Sequence, residues 1–417
     1  LRILFVAIHN SVHTCRWLNL LAGEGWDVHL LPSQFGDTHL DLRNVTVHEL
    51  FYRRPVGLNR DVRIKGIYWP FSLEYLPYAR GAVERLPGIF PWAQRVNRLV
   101  SLIKKLKPDI IESKEIQHAG YLTLEAKKRF KGKFPPWIVQ NWGSDMYLFG
   151  RLAEHKDRIK EVLANCDYYT CECQRDVQLA QAAGFRGTIL PILPDCGGLN
   201  LDRIAQFKQV KPPSARKLIL IKGYQYWGGR ALVGLRAIAL CGDLLRGKKY
   251  KVIIYSGHDY SVKVAAELLA QDIKIPIEIL PQSPPDDILR LNGQSRINLG
   301  LSISDGISNT AIEAMAMGAF PIQSNTACIN ELIKDGVNCL LVPPEDPEIV
   351  ASAIRKVVTN DILVDRAAEL NAKIVKEQFD TKKIRPQVVE RYKAIAEGRL
   401  PITHPSRRYI KGGRKPQ

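Results

Sequence analysis

The sequence has no apolar stretch of the ~18–20 residues that a membrane-spanning helix needs, although 46% of its 417 residues are hydrophobic. Leu1 leads directly into the apolar run Ile3 to Ile8, and no secretory signal is expected there. A Gly-x-x-x-x-Gly-Lys-Ser/Thr loop is missing, which removes support for ATP hydrolysis. Eight cysteines scattered over this length do not suggest a disulfide framework. The only close pair is Cys171-Glu172-Cys173. No His/Cys cluster matches it, so reduced thiols are expected there and a metal site is not.

Acids are the scarce charged class. There are 42 Asp and Glu against 60 Lys and Arg, a net charge of +18. Between residues 51 and 107 twelve cations meet only Asp61, Glu74 and Glu84, so about half the excess lies in this stretch. Aromatics interleave it, among them Phe51, Tyr52, Tyr68, Trp69, Phe71 and Tyr78. A second basic cluster, Arg407, Arg408, Lys411, Arg414 and Lys415, lies in the tail. No nucleic-acid motif accompanies this charge, so no nucleic-acid partner is expected. An anionic membrane or a phosphorylated acceptor suits it equally.

Strand and helix patterns alternate twice along the chain, which predicts an α/β protein with parallel sheets. Strands are expected at 3–8, 27–31, 109–112, 137–140 and 168–171, and again at 218–222, 251–255, 278–280, 297–301, 320–323 and 340–342. Helical patterns fall between them. The Pro- and Gly-rich stretch from Pro191 to Gly198 reads as a linker. The expected division is a first domain over 1–195, a second over 196–382, a terminal helix within 383–400, and a basic tail over 401–417 with almost no apolar periodicity. The segment 51–90 is too long for an ordinary connection. It reads as a functional insertion or as short helices.

Residues 304 to 324 carry the most information. The apolar strand Ile297 to Ile303 ends in Asp305-Gly306, and a helix opens near Ser308 or Asn309. That helix carries Glu313 in its second turn and closes at Gly318 before the strand Phe320-Pro321-Ile322. The first turn of a helix offers unpaired N–H groups and the positive end of the dipole, an anion site. Gly306 permits close backbone approach, and Asp305 and Glu313 could accept from hydroxyls on either side of a phosphate. A plain capped strand-turn-helix would account for the same residues.

The full string resembles the donor-binding motif of retaining glycosyltransferases of the GT-B fold, family 4. That motif is an acid, seven residues, then Glu-Ala-Met-Ala-x-Gly-x-Pro. Asp305 stands where the family more often has Glu. The continuation, Asn330-Glu331-Leu332-Ile333 and then Asp335 to Pro343, also matches, and the likeness covers roughly residues 295 to 360. It implies two Rossmann-like domains with parallel sheets facing a central cleft, and a C-terminal helix crossing back to the first domain. It also implies sugar transfer, with retained anomeric configuration, from a nucleoside-diphosphate sugar to a glycan or lipid-linked acceptor. Glu313 would then bind the ribose hydroxyls and Asp305 the sugar. Backbone N–H groups around Gly306, Ile307, Ser308, Asn309 and Thr310 would hold the diphosphate, with Lys222 and Arg230 beside them.

Lys222 to Arg230 follows the first strand of the second domain, and two cations with glycines there suit a diphosphate. Relatives usually place an Arg and a later Lys at different spacing. His118 sits where similar enzymes place a histidine facing the donor sugar and phosphate. Without the resemblance it would read as a structural residue. Asp145 in Asn141-Trp142-Gly143-Ser144-Asp145 either orients the acceptor or caps a turn. The loop His9-Asn10-Ser11 lacks the Gly-Gly many relatives have, and Ser11 with the local backbone could serve in its place. Contacts to the base are expected around residues 280–284. No Asp-x-Asp tripeptide occurs, where glycosyltransferases of the other major fold hold a divalent ion. A metal-independent reaction without a cofactor is therefore expected. The expected location is the cytoplasm, with 51–90 and the tail available for peripheral contact with the anionic inner face of a membrane. Two alternatives remain: a nucleotide-sugar epimerase on the same fold, which would share the anion site, and a non-catalytic polyanion-binding protein exploiting the +18 charge.

Overall fold

The computed structural model describes residues 1–71, 78, 81–82, 91–209, 211–280 and 283–400. Fourteen strands fall into two wholly parallel sheets among these residues. The first sheet holds β1 (Arg2–Ala7), β2 (Asp27–Pro32), β3 (Thr46–Tyr52), β4 (Arg63–Tyr68), β5 (Ile110–Lys114), β6 (Trp137–Gln140), β7 (Tyr168–Thr170) and β8 (Thr188–Ile189), in the order β4-β3-β2-β1-β5-β6-β7-β8. The second holds β9 (Leu218–Lys222), β10 (Lys251–Tyr255), β11 (Ile277–Leu280), β12 (Ile297–Gly300), β13 (Phe320–Ser324) and β14 (Leu340–Val342), in the order β11-β10-β9-β12-β13-β14. The central strands are near-continuous apolar runs because helices cover both faces. Ile3, Leu4, Phe5, Val6 and Ala7 of β1 are all fully buried.

Each sheet reverses its strand order once, at β1 in the first and at β9 in the second. Ligands of open parallel sheets bind outside the carboxyl ends of the strands at such a reversal. The first-domain helix α1 (Val12–Asn19) leaves β1 at this point, and α2 (Asn309–Met317) follows β12 in the second domain. The last helix, α3 (Thr381–Ala396), returns to the first domain: Ile384, Val388, Tyr392 and Ile395 join the core around Phe5 and Trp17. A buried polar cluster fastens it there. Trp17 Nε1–H donates to the Tyr392 hydroxyl (2.8 Å), and that hydroxyl donates to Glu112 Oε2 (2.5 Å).

The alternation of elements expected from the sequence is present, with three additional strands. β3 and β8 were not expected, and β4 lies inside the segment read as an insertion or short helices. β4 is a parallel edge strand on β3, with a register shift between His48 and Phe51. Its residues Arg63, Ile64, Lys65, Gly66, Ile67 and Tyr68 are mostly exposed, so no buried face imprints an apolar pattern on them. Parts of 72–90 and the whole tail 401–417 lie outside the described residues, so their expected roles have no structural account.

The expectation of reduced thiols fails at one pair. Cys173, just after β7, is joined to Cys328 of the second domain, 155 residues away, with Cα atoms 6.2 Å apart. The partners are too distant in sequence for any spacing motif to reveal them. The other six cysteines are free and buried. Unfolded without reductant, the protein should present six alkylatable thiols, and eight after reduction. Eight from the outset, read by mass spectrometry, would show that the pair is open.

Candidate active site

The carboxyl ends of β1, β5, β9 and β12 face one another across a cleft of about 850 Å3. The two domains approach each other closely at two glycines. A Cβ on Gly143 would lie 2.5 Å from Gly306 Cα, so only a residue without one fits between the backbones. A Cβ on Gly306 would in turn drive into the Glu172 carboxylate.

The first-domain wall begins at Ser11, which caps α1 by accepting from the His13 N–H (3.2 Å). Ser11 thus acts at the helix start, and the cleft itself is lined by its neighbours Val12, His13 and Arg16. His13 packs on Trp142 (ring centroids 5.2 Å) and meets Asp195 through Nδ1 (3.2 Å). After β5 the chain turns at Glu115, which holds φ 83°, ψ 155°. A non-glycine residue there costs ~1–3 kcal/mol. The Glu115 carboxylate accepts from the N–H groups of His118 (2.8 Å) and Ala119 (2.5 Å), capping the turn 116–120. It also meets His118 Nδ1 (3.2 Å), which leaves Nε2 of a half-exposed imidazole for the cleft.

Asp145 is buried, and its Oδ2 accepts from the N–H groups of Ile116 (3.0 Å) and Trp142 (2.9 Å). The side chain therefore ties the loop after β5 to the loop after β6. Burial, and then the Glu115 charge, push its carboxyl well above the usual carboxylate range.

On the second-domain wall, Lys222 ends β9 with Nζ 4.0 Å from Asp305 Oδ2 and 4.6 Å from the Tyr224 ring centroid. Asp305 accepts from the Gly306 N–H through Oδ1 (3.0 Å). Ser308 stands at the N-cap of α2 with its hydroxyl 3.0 Å from that of Thr310. The N–H groups of Asn309 and Thr310 lie in the first turn, where a helix supplies no carbonyl partner. Glu313 is buried one turn on, and its Oε1 accepts from Arg16 Nη2 of the first domain (2.9 Å). Burial works against the Arg16 charge, and Glu313 together with neighbouring groups more than offsets it. Of the loop 280–284, residues 281 and 282 lie outside the described residues, while Ser283 lines the cleft.

Besides the Gly306 N–H held by Asp305, two more expected donor groups are already engaged. Arg230 does not line the cleft: it pairs with Glu345 (2.6 Å) and donates to the carbonyl of Gly229 (2.8 Å). Its position, at the start of the helix after the glycine loop, turns it to the outer side of that loop. The Ile307 N–H already donates to Glu172 Oε1 (2.6 Å). Burial, with Asp195 beside it, pushes the Glu172 carboxyl well above its usual value. A protein carboxyl thus takes the N–H just ahead of the helix cap, and the start of the helix at Asn309 and Thr310 opens to the cleft.

Sequence reasoning missed Arg16 and Glu172, whose partners lie in the other domain. It also missed an aromatic group at the first-domain side. Tyr121 OH is 3.2 Å from His155 Nδ1, Arg158 lies over the Tyr121 ring (4.2 Å), and Phe149 meets Trp227 of the second domain (5.1 Å). His155 and Arg158 share one face of the helix Ala153–Asn165 at i, i+3 spacing, the only signal that could have paired them.

Two family models match the chain, one on each side of the cleft. "Glycosyl transferase 4-like" matches residues 2–86 and 74–172, and "Glycosyl transferases group 1" matches residues 235–360. No curated protein sequence matches. Among solved structures, a sucrose-phosphate synthase from Thermosynechococcus elongatus aligns with a TM-score of 0.67 at 16% identity, over 95% of this chain and 99% of that one. The Anabaena protein HepE in complex with UDP-glucose aligns with a TM-score of 0.65 at 14% identity, over 94% and 99%. A glycosyltransferase from Rickettsia africae aligns with a TM-score of 0.64 at 16% identity, over 94% and 98%. At these identities the structures speak for the fold. The fold is that of the GT-B glycosyltransferases, and glycosyltransferase family models match the chain on both sides of the cleft.

Proposed function

We propose that the protein is a metal-independent, retaining hexosyltransferase that takes its sugar from a nucleoside-diphosphate sugar. The observation that carries this reading is the convergence, in one cleft, of the open start of α2, Lys222, Asp305, Glu313 and His118. The UDP-glucose bound in HepE supports a donor of that class. Asn309 and Thr310 N–H groups and Lys222 would neutralise charge that grows on the departing diphosphate, where preorganised donors act most strongly. Glu313 would hold the ribose hydroxyls and Asp305 the sugar. His118, steered by Glu115, would hydrogen-bond the transferring sugar from the opposite wall. No protein nucleophile is invoked, because the leaving phosphate can accept the acceptor's proton on the same face.

The acceptor would enter from the first-domain side, past Tyr121, His155 and Arg158. A glycan or a lipid-linked acceptor fits that approach. The exposed Tyr68 and Phe71 near Arg53 could also rest against an anionic membrane surface. No helix among the described residues is long and apolar enough to cross a membrane.

Incubation with a panel of nucleoside-diphosphate sugars and acceptors, with product anomers resolved by NMR, tests the reading. Transfer should persist in EDTA. Turnover that stops with the chelator and returns with magnesium or manganese would contradict metal independence. Isomerised sugar from donor alone would instead favour an epimerase.

A further inference from the structure

The second sheet has a second concave site at the opposite ends of its strands. A cavity of about 640 Å3 opens where β9 and β10 begin. Its apolar floor is Leu218, Tyr250, Ile275 and Pro276. Five lysines line it: Lys211, Lys217, Lys249, Lys251 and Lys274. Two arginines, Arg216 and Arg246, also line it, and no acidic residue takes part among the described residues.

The arginines build the walls. Arg216 is buried and donates to the carbonyls of Ser295 (3.2 Å) and Met317 (3.0 Å). Arg246 pairs with Asp243 (2.5 Å) and donates to the Ile273 carbonyl (3.2 Å). The lysines are different: none makes an ion pair with a described residue, and Lys217 rests 5.2 Å from the Tyr250 ring centroid. Lys249 and Lys274 even occupy left-handed backbone positions, φ 57° and 54°, which side chains other than Asn and Asp seldom adopt. Five like charges around one cavity repel over the ~8–10 Å that salt leaves unscreened. A bound polyanion would relieve that repulsion, and five cations exceed the charge that one phosphate carries.

We propose that this cavity binds a ligand carrying two or more clustered phosphate groups. The site is separate from the cleft, since the five residues of β9 set Leu218 and Lys222 ~13 Å apart. It stands whether or not the reading of the cleft holds.

Calorimetry at low ionic strength, with inorganic tripolyphosphate and the full chain, tests the idea. The comparison is a Lys217→Glu/Lys251→Glu/Lys274→Glu variant, in which the dissociation constant should rise at least ~10-fold. Should that variant not fold, Lys217→Gln/Lys251→Gln takes its place, with a smaller rise expected. Co-sedimentation with phosphatidylglycerol vesicles runs in parallel. Tripolyphosphate binding that the variant loses, without vesicle binding, supports the site with a free polyphosphate as occupant. Vesicle binding that the variant loses supports it with clustered lipid headgroups. Equal binding by wild type and variant would place the phosphates elsewhere. No binding of either probe to the wild type would leave the cavity a solvated basic face, and either of these last results overturns the proposal.

Discussion

Gly143→Ala is expected to lower sugar transfer by ~100-fold or more while leaving the dissociation constant for the nucleotide nearly unchanged. Gly143 holds φ 39°, ψ −67° at the end of the loop after β6. An added Cβ would lie 2.5 Å from Gly306 Cα and 2.8 Å from the Asp305 carbonyl carbon. Both obstacles are backbone, so no side chain can swing aside, and the two domains must part. The donor-binding groups proposed at Lys222, Asn309, Thr310 and Glu313 all belong to the second domain and remain assembled. His118 and the acceptor side belong to the first and retreat, and a misplacement of ~1 Å can cost ~100-fold in rate. The backbone strain adds ~1–3 kcal/mol to the cost of folding, so thermal unfolding must show that the variant is folded at the assay temperature. Gly306→Ala supplies the contrast, because its obstacle is the Glu172 side chain. Adding Glu172→Ala should restore part of its activity, whereas no such rescue exists for Gly143→Ala. Transfer by a folded Gly143→Ala protein within ~3-fold of wild type would show that catalysis does not need this approach.

The parts of the site that were legible in the sequence are local ones. Asp305, Gly306, Ser308 and Glu313 are carried by one strand-turn-helix, whose apolar run, cap and terminal glycine follow from nearest neighbours. The two sheets were legible for a related reason. Central parallel strands are buried on both faces and read as unbroken apolar runs, as in Leu218 to Ile221. The edge strand β4 has no such constraint and falls in the segment that reads as an insertion or as short helices. Arg230 marks a different limit. Its spacing from Lys222 suggested a pair of cations on one phosphate, yet Glu345, 115 residues away, holds it outside the cleft.

What the sequence could not show is the meeting of the two domains. Glu172 reads as an ordinary acid between two cysteines, and nothing local reveals that it reaches the Ile307 N–H across the domain boundary. The Cys173–Cys328 pair closes the same boundary nearby, and the Cys328 N–H donates to the Gly306 carbonyl (3.0 Å). These contacts tie the loop just ahead of the anion site to the first domain, while the donor groups themselves lie within the second.

Glu313→Gln is expected to raise the dissociation constant of the donor by about tenfold to a hundredfold. A hydrogen bond to a charged acceptor contributes ~1.5–3 kcal/mol, roughly twice a neutral one, so losing about half at each of two proposed ribose contacts comes to ~1.5–3 kcal/mol. The Glu313 carboxylate is buried and accepts from Arg16. This pair makes a second measurement informative. Arg16→Met should leave a buried carboxylate without its cation, a change that costs ~3–5 kcal/mol for such pairs, and thermal unfolding should register the loss. If ribose hydroxyls also reach Glu313, the nucleotide supplies part of the missing compensation. The stability gap between Arg16→Met and wild type should then narrow when both are saturated with nucleotide. A gap unchanged by nucleotide, together with calorimetry showing wild-type affinity in Glu313→Gln, would remove Glu313 from the donor site. It would leave the Arg16–Glu313 pair as a clasp between the domains.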